Sequence, residues 1–155
     1  MTQSKSSTNL WPEFPKVKKG TVTILKEQAQ WLKKGTDDLI YGLITPFSFE
    51  SSGEEVETKY SISHLFFIRV PALDDYLYKL FSIRQEGDAH YPLQICPDED
   101  VFKGIEEVLN KTGIDAHGGI ILIKDEEQLM KTLKAVFAAD RTQEIISNLL
   151  GQVQS

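Results

Sequence analysis

Ser61-Ile62-Ser63-His64-Leu65-Phe66-Phe67-Ile68-Arg69-Val70 and Tyr76-Leu77-Tyr78-Lys79-Leu80-Phe81-Ser82-Ile83-Arg84 are the two runs whose reading decides the fold. In the first, extended upstream to Val56, the residues Tyr60, Ile62, His64, Phe66 and Ile68 recur at every second position. An extended chain places such residues on one face. The second run is rich in aromatic and β-favouring residues, although Leu73, Leu77, Leu80 and Phe81 also match helical spacing. Between the runs lies only Pro71-Ala72-Leu73-Asp74-Asp75. Connections this short join strands that pair with their sequence neighbours, so both runs read as members of an antiparallel sheet.

Working outward, Leu39, Tyr41, Leu43, Phe47 and Phe49 alternate with Gly42 and Ser48, another half-buried strand. Pro46 confines it to an edge, a bulge or an early end, because proline donates no ladder hydrogen bond. Ser51-Ser52-Gly53-Glu54-Glu55 is turn chemistry. A helix precedes, with Thr21 or Thr23 as N-cap, apolar spacing from Ile24 to Leu32, and a stop at Lys33-Lys34-Gly35. Downstream, Gly87-Asp88 turns into a short strand, Tyr91 to Cys96, closed by Pro97. Asp98 caps a helix built on Val101, Phe102, Ile105, Val108 and Leu109, and Gly118-Gly119 leads into the strand Ile120 to Ile123. Asp125-Glu126-Glu127-Gln128 and Asp140-Arg141-Thr142-Gln143 read as capping boxes for two further helices. The expected fold class is α+β: an antiparallel meander of about four to five strands, preceded by one helix and followed by two to three C-terminal helices.

Trp11-Pro12 and Phe14-Pro15 push residues 1–20 toward extended geometry, which predicts a flexible tail and extended arm ahead of a single domain over 21–155. The chain of 155 residues, 41% apolar and 26% charged, is long enough to build a core without a disulfide or metal. A single cysteine, Cys96, the lack of an apolar span and the polar first nine residues suggest a cytoplasmic protein with no membrane partner. The formal net charge of −6 is unevenly spread. Residues 1–35 hold seven Lys against two Glu, and the rest holds ten Lys and Arg against twenty-one Asp and Glu. An acidic body repels phosphate backbones and favours a basic partner. Lys16, Lys18 and Lys19 with Trp11 are too few to make nucleic acid the leading partner.

Signatures of rigid spacing are missing: no G-x-G-x-x-G, no G-x-x-x-x-G-K-[ST], no H-E-x-x-H, no G-x-S-x-G and no C-x-x-C. No catalytic residue, cofactor or metal is therefore assigned. Lys111-Thr112-Gly113 reads as a helix end rather than a β-lactamase box. Adjacent carboxylates such as Asp74-Asp75 point in different directions and form no acid/base pair by themselves. Candidate ligand-binding residues are His64, on the apolar face of its strand, and His117, in the loop Asp115-Ala116-His117-Gly118-Gly119. Arg69 and Arg84 could serve as anion clamps.

The concentration of aromatics in the strands is the unusual feature. Phe67 and Phe81, with Leu65, Leu77 and Ile83, are opposite in parity to their neighbours, so both sheet faces look apolar. Either helices cover both, or one face is an interface, for which Phe67, Tyr76, Tyr78 and Phe81 are candidates. In general look the chain is similar to small acidic α+β proteins of bacteria, among which immunity and antitoxin proteins are common, a resemblance of type that transfers no residues. The expected function is a non-catalytic protein-binding module with an acidic surface, engaging a protein partner or a second copy. The alternative is a small-ligand-binding protein or enzyme with a pocket lined by Tyr, His and Arg.

Overall fold

A computed structural model describes residues 7–47 and 61–154. The expected strand positions Phe49 and Tyr60, and the turn at 51–55, lie outside the described residues. The elements run α1 (Thr21–Gly35), β1 (Tyr41–Phe47), β2 (Ser61–Val70), a single 3-10 turn (Pro71–Leu73), β3 (Tyr76–Glu86) and β4 (Leu93–Pro97). They continue with α2 (Glu99–Lys111), β5 (Asp115–His117), β6 (Ile120–Ile123), α3 (Glu126–Ala138) and α4 (Asp140–Val153). One sheet holds all six strands in the order β1-β2-β3-β4-β6-β5, and every pairing is antiparallel.

The fold is thus of the expected α+β class: one helix precedes the sheet, β1 to β4 form a meander, α2 leads to the β5-β6 hairpin that joins β4 through β6, and α3 and α4 follow. Residues 76–86 are extended; the competing helical spacing loses because β3 pairs along its length with β2 and, over Phe81–Gln85, with β4. β1 is an edge strand, one of the placements that Pro46 permits. The sheet gains one more strand than anticipated at its other edge. Asp115–His117 is not loop but β5, joined to β6 by Gly118 and Gly119 with φ of 67° and 87°. Two consecutive positive-φ glycines make the tight hairpin turn that matches strand twist. The Asn110 side chain holds this edge like a missing strand, donating from Nδ2 to the Ala116 carbonyl (2.8 Å) and accepting the Ala116 N–H on Oδ1 (3.0 Å).

Local signals at the helix ends need three corrections. α1 begins after Gly20, whose backbone is extended and supplies no side-chain cap, so Thr21 and Thr23 lie inside the helix. At the other end, Gly35 is the last helical residue, and the left-handed turns fall on Asp37 and Asp38 (φ 52° and 66°). Short polar side chains tolerate that region. Thr36 closes the corner, since its hydroxyl donates to the Leu32 carbonyl (2.9 Å) and accepts the Ile40 N–H (3.0 Å). α4 follows α3 through Ala139 alone, so Asp140 is already helical and caps nothing. The Asp98 and Asp125 caps form as read, accepting the backbone N–H of Asp100 and Gln128 respectively.

The core lies between the helices and one face of the sheet. Phe66, Ile68 and Val70 of β2, Ile83 of β3, Ile95 of β4 and Ile121 of β6 are fully buried there. Phe66 and Phe81 stack at 5.0 Å with rings 7° from parallel, and Phe137 of α3 closes on both at 5.8 and 6.2 Å. α1 sits on β1 over Gly42, where a Cβ would lie 2.7 Å from the Ala29 Cβ and 2.9 Å from the Phe66 ring. Only glycine permits that approach.

Candidate functional site

A bulge decides which aromatics reach the surface. Phe66 pairs with Phe81 but Phe67 pairs with Lys79, leaving Leu80 as an extra residue in β3. The extra residue switches the side-chain parity of the strand, so Leu80 and Phe81 both enter the core. Phe81 is 1% exposed and Ile83 equally buried, while Leu65, Phe67 and Leu77 lie on the opposite face, against which none of the described helices packs. The four proposed interface aromatics therefore do not share a surface. Phe67 is on the helix-free face, half-buried. Tyr76 is exposed near the end of β3, Tyr78 turns toward the helices, and Phe81 is core.

Tyr78 anchors a polar junction rather than a surface. Its hydroxyl donates to Oδ2 of Asp98 at 2.5 Å, while Oδ1 of the same carboxylate caps α2. Burial, then the hydrogen bond to Asp98, pushes the Tyr78 hydroxyl up to about 12. Arg141, paired with Glu144 at 2.6 Å, adjoins the same hydroxyl from α4.

The candidate ligand residues are also dispersed. His64 lies opposite Ile83 on the helix side of the sheet, where burial and then Lys26 hold its imidazole below the usual range. Arg69 and Arg84 face the other side, and Arg69 is engaged by Asp75 through Nε (3.2 Å) and Nη2 (2.9 Å). His117 sits on β5, paired with Asp115 at 3.2 Å. Four strand spacings separate β2 from β5, about 19 Å across the sheet. No common pocket joins these four residues. Cys96 lies opposite Ser82 on the helix-free face, its thiol raised by burial against smaller opposing effects of Ser82, Arg84 and Lys79.

What the structure does form is a groove on the helix side, invisible in the sequence because five separate elements build it. α1 covers β1, whereas α2, α3 and α4 pack on one another at the far end of the sheet. Between these two bodies a cavity of ≈ 230 Å³ opens above β2 and β3. Gln28, Trp31 and Leu32 form its α1 wall; Thr142, Gln143 and Ile146 form its α4 wall. Phe66, Ile68, Leu80 and Phe137 make the floor. Each wall comes from one stripe of a helix, positions three and four apart, which lie on a common face. Trp31 is 65% exposed at the lip.

The chemistry of this lining is narrow. It contains no carboxylate, imidazole, thiol or amine. Its polar rim consists of two amides, a hydroxyl and the Trp31 indole, and the fold already uses part of it. Thr142 donates to the Val136 carbonyl at 2.6 Å, and Gln143 Nε2 donates to the Phe137 carbonyl at 2.8 Å. Such a surface can desolvate an apolar side chain and offer it a few hydrogen bonds, but supplies no group to move a proton or attack a carbon. Among the described residues, no three His, Cys, Asp or Glu side chains converge to hold a metal ion. In comparisons with known proteins, no family model, curated protein or solved structure matches the chain.

Proposed function

We propose that this protein is a non-catalytic protein-binding module whose groove between α1 and α4 receives an apolar side chain from a cationic polypeptide segment. The observation that carries this reading is the groove's lining, apolar on its floor, with only Gln28, Thr142, Gln143 and the Trp31 indole as polar groups and without a single titratable group. Its volume of ≈ 230 Å³ falls below the range of roughly 300–1,000 Å³ usual for small-molecule and cofactor sites. It suits an anchoring aromatic or aliphatic side chain of the kind that dominates protein interfaces. The excess of acidic over basic residues beyond position 35 favours a segment bearing Lys or Arg that reaches past the groove's lip, where Lys34 stands over the Trp31 ring, 5.2 Å from its centroid.

The test is a titration of isotope-labelled protein with a synthetic peptide in which one Trp is flanked by Lys, against a control flanked by Asp. The Lys peptide should shift the Trp31 indole and the Leu32 and Ile146 methyls, and Trp31→Ala should weaken it about tenfold with little loss of stability, as exposed anchors do. Shifts confined to the helix-free sheet face, or none at millimolar peptide, would remove the reading.

A further inference from the structure

The chain carries its own candidate for the groove. Residues 7–19 adopt no regular structure, and their apolar side chains Leu10, Trp11, Phe14 and Val17 are all exposed. Trp11 and Phe14, each 69% exposed, stack on one another at 5.8 Å and so form a compact apolar knob on an open arm. Leaving such rings in water forfeits a large hydrophobic gain, since an aromatic side chain buries about 150–250 Å².

We infer that the arm of one chain docks in the α1–α4 groove of a second copy, making a reciprocal arm-exchanged dimer. The inference rests on the groove being a docking site and names its occupant. Three observations select a second copy. First, the net charges are opposite: residues 1–20 hold four Lys against one Glu, and residues 21–155 hold thirteen Lys and Arg against twenty-two Asp and Glu.

Second, the arm does not fill its own groove: none of its residues lines it, and Leu10, Trp11, Phe14 and Val17 stay exposed. Gly20 is extended (φ −87°, ψ 172°), and Lys19 is tied to Glu27 at 3.0 Å at the arm's base. Pro12 and Pro15 favour continued extension of the arm. An extended arm of this length spans about 45 Å, enough to cross to a neighbour. Third, the areas suffice. At 69% exposure, four aromatics from two arms would bury about 400–700 Å², and counting both sides of the contact gives about 800–1,400 Å², which reaches the lower part of the ~1,200–2,000 Å² of a stable interface. Exchange of identical arms closes with two-fold symmetry and leaves no apolar knob exposed.

Full-length protein in a Cys96→Ser background tests this. Sedimentation should show the mass rising from 17.6 kDa toward twice that value with concentration, and Trp11→Ala with Phe14→Ala should weaken association at least ~tenfold. Mixing chains bearing Glu13→Cys with chains bearing Gln28→Cys should then give a disulfide between the two chains under mild oxidation. A monomer at 500 µM would overturn the inference, as would a dimer indifferent to the arm substitutions. So would a rapid intrachain disulfide in a dilute Glu13→Cys/Gln28→Cys double variant, the mark of an arm in its own groove. If these results fail while the Lys-flanked peptide still shifts Trp31, the arm assignment falls and the groove reading stands; if both fail, both fall.

Discussion

The two ends of the sheet are covered in different ways. At the β4-β6-β5 end, three helices pack on one another and on the strands, and Val101, Leu129 and Val136 are fully buried. At the β1-β2 end a single helix lies on the edge strand, held close by Gly42, and its outer stripe ends in the exposed Trp31. The seam between these arrangements is the groove. Four helices side by side at about 8–10 Å would span six strands at about 4.8 Å, but α2, α3 and α4 stack on one another instead of spreading, which leaves a gap. The gap falls above β2 and β3 because α1 follows β1 while the C-terminal helices follow β4 and β6.

Substitutions can break that contrast in graded ways. The largest effect should come from Phe66→Ala, which removes the ring that touches both Phe81 and Phe137 beneath the seam. A loss of about 3–5 kcal/mol in urea unfolding is expected for a fully buried Phe. A smaller loss would show that the groove floor collapses to fill the space.

Gly42→Ala should follow, at about 1–3 kcal/mol, because its Cβ would meet the Ala29 Cβ and the Ala29 Cα of α1 at 2.7 and 3.1 Å. A structure of the variant should show α1 displaced from β1 and the C-terminal helices unmoved. Movement of both bodies would mean that they are coupled more tightly than the seam suggests.

Tyr78→Phe should cost about 1 kcal/mol at neutral pH through the lost hydrogen bond to Asp98. Its pH dependence has a definite sign. The folded hydroxyl titrates near 12 against 10.0 ordinarily, so the fold favours its neutral form. That contribution is fully present below pH 10 and is lost as pH rises through the interval to about 12. Chemical denaturation across this window should show a steeper decline in the native protein than in the variant.

Legibility in the sequence divides along the same physical lines. The strands of the central meander were readable because period-2 alternation survives in Ile62, His64, Phe66 and Ile68, all of which share the helix side of the sheet. Pro46 announced an edge, and Asp98 and Asp125 announced helix starts, because these residues act through backbone chemistry within a few positions. β5 was not readable: three residues carry too little pattern, and the strand is held by Asn110 from a preceding helix. The Leu80 bulge was equally silent, and it reverses the side on which Phe81 and Ile83 stand. Nor could spacing show that His64 and Arg84, twenty residues apart, face opposite sides of the sheet, or that Arg69 is occupied by Asp75.

By itself, then, the amino-acid order determined the class of fold, the order of its main elements and the uneven split of charge between the first 35 residues and the rest, since each depends on composition or on patterns of two to four residues. Tertiary structure alone decided the bulged register, the dispersal of the histidines and arginines, and the seam between α1 and α4. These depend on which distant segments come side by side, and one inserted residue in a strand reverses the facing of every side chain beyond it.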